Sequence, residues 1–179
     1  MAFSPSEFAS QLQYGGSRTN LFEFRLTFPS SMVDNANLAS SKITFMAKSA
    51  SLPASSLPSV AVPYFGRNIN VAGDRTFAPM NISVIMDEDY LVRNAFESWS
   101  DSIKGHESNL NTAGSPNDYK IDCEVVQYGK DGSVNKVYKL VGVYPSEVGE
   151  VQLNWNNNNS VGEFPVTLVM DYWTSTTTS

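Results

Sequence analysis

The sequence predicts a mainly β protein: a small antiparallel β-barrel or sandwich with one flanking α-helix and a short N-terminal helix. It forms one domain over residues 1–173 with a flexible tail at 174–179. Three observations predict this. Short runs alternate apolar with polar residues between Gly, Pro, Asn and Ser clusters, the period of a strand that buries one side. Only Val92, Phe96, Trp99 and Ile103 recur as a convincing helical stripe. A chain of 179 residues with 41% hydrophobic content can bury roughly 70% of its unfolded surface. It needs no disulfide, and with Cys123 alone it can form none internally.

Each element follows in order. Ser4 can cap a helix with Pro5 at its first position and Glu7 completing a capping box, while Phe3 and Phe8 take the staple positions and Gly15-Gly16 end it. Phe22, Phe24, Leu26 and Phe28 share one face of a strand over Leu21–Phe28, and Ile43, Phe45 and Ala47 repeat the pattern over Lys42–Lys48. Ala50–Ser59, with Pro53, Pro58 and four serines, reads as an extended loop. Ser59–Phe65 and Arg67–Val71 read as strands around a turn at Tyr64–Arg67, and Met80, Ile82, Val84 and Met86 form another strand. Asp87-Glu88-Asp89 supplies the acidic start of the one long helix, which Gly105 and a polar run to Asn117 end.

Strands then follow at Tyr119–Tyr128 and Val134–Val143, joined by a hairpin at Asp131-Gly132. A turn at Pro145, a strand at Glu150–Trp155, the Asn156–Asn159 connection and a final strand at Glu163–Trp173 complete the chain. The last strand is apolar on both faces (Phe164, Val166, Leu168 and Met170 against Val169 and Trp173), which predicts a central position.

Composition narrows the function. With 12 Lys+Arg against 18 Asp+Glu the net charge is −6, unsuited to gripping nucleic-acid phosphates. Charged residues are only 17%, against about 25% in ordinary soluble domains, and Ser, Asn and Thr fill the deficit. Much of the surface is therefore expected to be covered by other protein. No secretory signal or membrane span is expected, because the first residues carry no positive charge and the longest apolar run, Phe164–Met170, is short and interrupted.

Catalytic parts are missing. His106 is the only histidine, which excludes multi-histidine metal sites, and there is no P-loop, dinucleotide turn or nucleophile elbow. A Cys123/His106 pair is formally possible, but Cys123 alternates with Ile121 and Val125 as a buried residue and His106 sits in a polar loop. Asp122 and Glu124 share a strand face with Lys120, which reads as a solvated face rather than a hydrolase pair. The Asn156–Asn159 amides could hold a sugar or ion, yet a hairpin connection accounts for them. The expectation is a non-enzyme with no cofactor, no metal and no small-molecule substrate.

Two segments carry a resemblance. Arg67-Asn68-Ile69-Asn70-Val71-Ala72-Gly73-Asp74-Arg75-Thr76-Phe77 resembles the signature of tail tube proteins of contractile-tailed bacteriophages. Val148–Trp155, with Phe164–Leu168 and Asp171–Trp173, is similar to the end of the same family, and Tyr144-Pro145 and the Asn109–Tyr119 loop fit its layout. The likeness runs from about Leu21 to Trp173; the Ser/Asn-rich insertion at Ser30–Ser41 and the Thr-rich tail depart from it.

The resemblance implies a structural virion protein, assembled in the host cytoplasm, whose hexameric rings stack into the hollow inner tube of a contractile tail. Its implied partners are its own copies, the sheath protein, baseplate tube-initiator proteins, the tail terminator and the tape-measure protein. DNA is conducted through the lumen during ejection without specific binding. The tube protein of a type VI or related injection system is the alternative, and a carbohydrate- or protein-binding β-sandwich a lower one.

On this reading Ala50, Leu52, Pro53, Leu57 and Pro58 are candidates for contact between stacked rings. Asn70, Gly73, Asp74, Arg75, Phe77 and Trp155 are candidates for subunit contact, and Asp122, Glu124, Glu150 and Gln152 for the lumen, where a net-acidic wall would repel phosphates. At Gly73-Asp74 two readings stand. Either Gly73 makes a positive-φ turn capped by Asp74 with Arg75 solvated, or Asp74 and Arg75 pair across a subunit boundary.

Overall fold

A computed structural model describes residues 4–12, 15–156 and 158–178; the expected staple residue Phe3 lies outside them. Helix α1 (Pro5–Gln11) begins as its caps predict, with the Glu7 amide donating to Ser4 Oγ at 3.4 Å. It ends at Gln11 with Leu12 as cap, before Gly15-Gly16, and none of its residues is buried. Strand β1 (Phe22–Leu26) sends Phe24 and Leu26 inward, and Phe28 follows them.

The expected strand at Lys42–Lys48 is instead mostly helix. Helix α2 (Ala36–Met46) takes in part of the Ser/Asn-rich insertion, and only then does β2 (Ala47–Ala50) begin. The physical reason lies in the buried set, Ala36, Ala39 and Ile43, spaced by three and four residues. Phe45, which suggested alternation, is 83% exposed. Ser40 ties the helix to β1: its hydroxyl donates to the Ala36 carbonyl and accepts from the Phe28 amide at 2.9 Å.

Within the expected loop a two-residue strand β3 (Ser55–Ser56) forms, followed by β4 (Ser59–Tyr64) and β5 (Arg67–Ala72). β3 pairs with β6 (Thr76–Phe77), and β7 (Met80–Ile85) buries Met80, Ile82 and Val84 as the alternation predicts. Helix α3 (Leu91–Ile103) buries Val92, Ala95, Phe96 and Trp99. The acidic run precedes its first turn rather than filling it: Asp89 accepts from the Leu91 amide, and Asp87 and Asp89 both clasp Lys42 of α2. A short helix α4 (Pro116–Tyr119), with a complete Ser115/Asp118 capping box, appears in the expected polar run.

Strands β8 (Ile121–Tyr128) and β9 (Val134–Val148) form the predicted hairpin, with Gly132 at φ 80°. The turn expected at Pro145 does not exist, because β9 continues for 15 residues. Its bend is taken up at Gly142 (φ 68°), and Pro145 sits where the ladder shifts register, a place that tolerates a missing N–H. Glu150–Trp155 is irregular chain, not a strand. The final strand is broken in two: β10 (Glu163–Val169) lies centrally between β7 and β9, and β11 (Tyr172–Ser175) pairs with the other half of β9. The break falls at Met170-Asp171, where the Asp171 amide bonds the Val141 carbonyl and its carboxylate meets Lys120 at 2.6 Å. β11 thus extends into the segment expected as a tail, with Ser175 buried.

The sheet order is β1-β8-β9-β10-β7-β2, with β11 also on β9. One face is covered by α2 and α3 over a core centred on Trp99, Phe96, Phe24 and Phe164. The Trp99 indole, wholly buried, donates to the Tyr119 carbonyl at 3.0 Å, so the large ring carries no unsatisfied N–H into the core. The mainly β fold with a flanking helix is as predicted. The sheet curls without closing into a barrel, leaving β1 and β2 as edges. A cavity of about 120 Å³ beside them is lined by Phe22, Ala50, Leu52 and Val125.

Candidate assembly surface

Among the described residues, a two-stranded ribbon carries a contiguous exposed apolar side. β4 and β5 pair only with each other, in register Val60↔Val71, Val62↔Ile69 and Tyr64↔Arg67, and every residue in them is exposed. Directly paired residues share a face, so Val60, Val62, Tyr64, Arg67, Ile69 and Val71 line one side and Ala61, Pro63, Asn68 and Asn70 the other. The five apolar members of the first side are 46–63% exposed. A lone two-stranded ribbon is marginal in water, and this one presents its apolar side to solvent. Phe65 at the tip is 91% exposed and held at φ 42°, a conformation costly for an aromatic residue, with Gly66 completing the turn.

The base of the ribbon explains its glycine. Gly73 is not at positive φ, which corrects the turn reading of that residue. Its amide donates to the Pro58 carbonyl at 2.7 Å, and an added Cβ would lie 3.1 Å from that oxygen and 3.2 Å from Val60. The glycine is favoured because any larger residue would crowd the Pro58 carbonyl and the Val60 side chain. Arg75, expected to be either solvated or paired with Asp74 of a neighbour, donates to Ser55 Oγ at 3.1 Å.

The predicted contact residues separate into two kinds. Leu52, Leu57, Pro58, Asn70, Asp74 and Arg75 are exposed, and Trp155 is 99% exposed. Pro53 is buried, Ala50 and Gly73 are half-buried, and Phe77 packs edge-on against Trp173 at 6.3 Å. The apolar members of the ribbon, Val60, Val62, Tyr64, Ile69 and Val71, were not among the candidates. Their signal was legible as alternation on both sides of a two-residue turn, which places the apolar sets on one face.

The sheet face away from the helices carries charged residues, with Val126 the buried exception on it. Asp122 and Glu124 lie on it, while Glu150 and Gln152, hydrogen-bonded to one another, lie on the irregular segment outside the sheet. On this face Arg25 pairs with Glu23 at 2.7 Å, Lys139 with Asp122 at 3.4 Å and Lys48 with Glu163 at 2.5 Å. The Glu23 carboxyl is held below its usual range, first by Arg25 and then by the Tyr128 hydroxyl. Cys123 points the other way, 2% exposed, and burial pushes its thiol up to about 12, which makes it a poor nucleophile. His106 is exposed and lies 3.1 Å from Asp101.

Comparisons with known proteins agree with this architecture. The sequence profile described as phage tail tube protein matches residues 17–176. The chain is 36% identical over 173 residues to the tail tube protein gp19 of Enterobacteria phage T4, covering 96% of this chain and 94% of that protein. It is 27% identical over 161 residues to the tail tube protein of Serratia phage KSP90, covering 89% of each. In structure it resembles a chain of the sheath–tube complex of the PVC extracellular contractile injection system, with TM-score 0.61 and 13% identity over 97% of this chain and 98% of the other. It also resembles the tube-terminating cap of the anti-feeding prophage, with TM-score 0.63 and 16% identity over 89% of each chain. These two likenesses concern the fold; the sequence matches concern the family. The chain therefore belongs to the phage tail tube protein family, a family of structural proteins and not of enzymes, and is a component of the phage tail.

Proposed function

We propose that copies of this chain close into hexameric rings that stack into the hollow inner tube of a contractile tail, through which DNA passes during ejection. The carrying observation is the β4–β5 ribbon, whose apolar face is left 46–63% exposed by the described residues of its own chain. A second copy covers it, and a ring leaves no ribbon unpartnered. The free edges β1 and β2 are a second reason to associate, since open edges recruit other strands.

The sheet face away from the helices is the proposed lumen wall, with Asp122 and Glu124 on it. Its cations Arg25, Lys48 and Lys139 are each already within ion-pair distance of a carboxylate. Such a wall offers phosphates no spare positive charge, so duplex DNA slides without sticking. A surrounding sheath and a terminating cap are proposed partners, by analogy with the sheath–tube complex and the cap whose folds this chain resembles. The baseplate initiator and tape-measure protein, and assembly in the host cytoplasm, follow from the same reading.

Sedimentation velocity tests it. The wild-type chain should sediment as rings and longer assemblies. Val62→Asp, which charges the ribbon without touching the core, should remain a folded monomer. A Val62→Asp chain that assembles like wild type would remove the ribbon from the account.

A further inference from the structure

The ribbon tip and a separate cleft of the same molecule are chemically complementary. The tip carries Phe65, stacked edge-on by Tyr64 at 4.7 Å, with Arg67 beside it. Among the described residues the Arg67 side chain has no hydrogen bond or ion pair. The cleft, about 340 Å³ and open to solvent, is lined by Met86, Tyr90, Val151 and Val161 together with Asp87, Glu88, Gln152 and Asn154. Asp87 is engaged by Lys42, whereas the Glu88 carboxylate has no ion-pair partner among the described residues.

The two features lie in chain segments on either side of β7. The ribbon returns through β6 to its first residue, Met80, and the cleft begins at Met86, just past its last. No ribbon residue lines the cleft, so the two are distinct patches of the chain. A contact between different patches is heterologous, which builds directional, repeating assemblies rather than closed pairs. The positive φ of Phe65 points the same way: an asparagine or glycine would suit that turn position better, so an aromatic ring held there at φ 42° points to a use outside the chain.

We propose that the ribbon tip of one copy seats in this cleft of another, Phe65 against Met86, Tyr90 and Val161, and the Arg67 guanidinium against Glu88. This rests on the reading that the chain assembles with itself, and it names which surfaces meet.

Mixed-chain crosslinking tests the pairing. One chain carries Phe65→Cys and the other Val161→Cys; Cys123 is buried and stays silent. Under mild oxidation a disulfide-linked dimer should appear in tubes of the mixture and in neither chain alone. Arg67→Glu should lower tube yield about tenfold, and Glu88→Arg added to it should restore yield to within about twofold. Mixed tubes without linked product overturn the pairing and leave the tube intact. A wild-type chain that never assembles overturns both.

Discussion

Gly142 holds β9 at φ 68°, and an added Cβ there would lie 2.2 Å from the Asp171 carboxylate. Gly142→Ala should therefore cost roughly 1–2 kcal/mol for the backbone alone, with a further loss from displacing Asp171 from Lys120. Chemical denaturation checks this, and adding Asp171→Ala should remove the steric part of the new strain while leaving the backbone part. Cys123 gives a second prediction. Its thiol is raised from an ordinary 9.0 to about 12, so between those values the folded chain binds more protons than the unfolded one. Stability should then fall as pH rises through that window, by up to about 1.4 kcal/mol per pH unit. The slope should be smaller in Cys123→Ala; identical slopes in the two proteins would contradict the assignment. The burial of Cys123 was legible from its alternating neighbours. The reason for Gly73 was not, because a close approach between residues 58 and 73 leaves no mark on local sequence.

At the level of elements, period decided what could be read. β1, β7 and α3 announce themselves because each buries one clean face, and β8 follows the same alternation except at Val126, which is buried on the opposite face. α2 was misread because three residues with accidental alternation, Ile43, Phe45 and Ala47, outweighed the small alanines that do the packing. The break between β10 and β11 and the continuity of β9 through Pro145 depend on pairing partners distant in sequence, so no local pattern could show them. The Lys42 clasp is likewise a tertiary fact. Asp87 and Asp89 are held below their usual 3.8 mainly by Lys42, so this tie is present above that pH and is lost as pH falls below it. Amides of α2 should exchange faster in Lys42→Ala at neutral pH, and acidification below 3.8 should add little further to that variant. Unchanged exchange would show that packing of Ile43 alone holds the helix. The ribbon is the opposite case, an element legible in the sequence whose support lies elsewhere. The circular dichroism of Val62→Asp should match wild type even though assembly is lost.

For the whole molecule, the predicted barrel or sandwich is a curled sheet whose path ends at β1 and β2, with β11 a further edge on β9 and a small notch beside β1 and β2. Sequence patterning reports which residues face inward, but closure depends on how far the sheet coils, which single strands do not encode. Of the candidate lumen residues, Asp122 and Glu124 lie on the sheet face away from the helices, while Glu150 and Gln152 belong to an irregular segment. If that face lines the bore, Glu124→Lys should make tubes retain short duplex DNA on co-sedimentation, and wild-type tubes should not. Electron microscopy of the purified wild-type chain tests the central claim most directly. Hollow rods with six-fold end views are predicted. Single particles of one chain, persisting at high concentration and in the presence of the sheath and baseplate proteins, would contradict it.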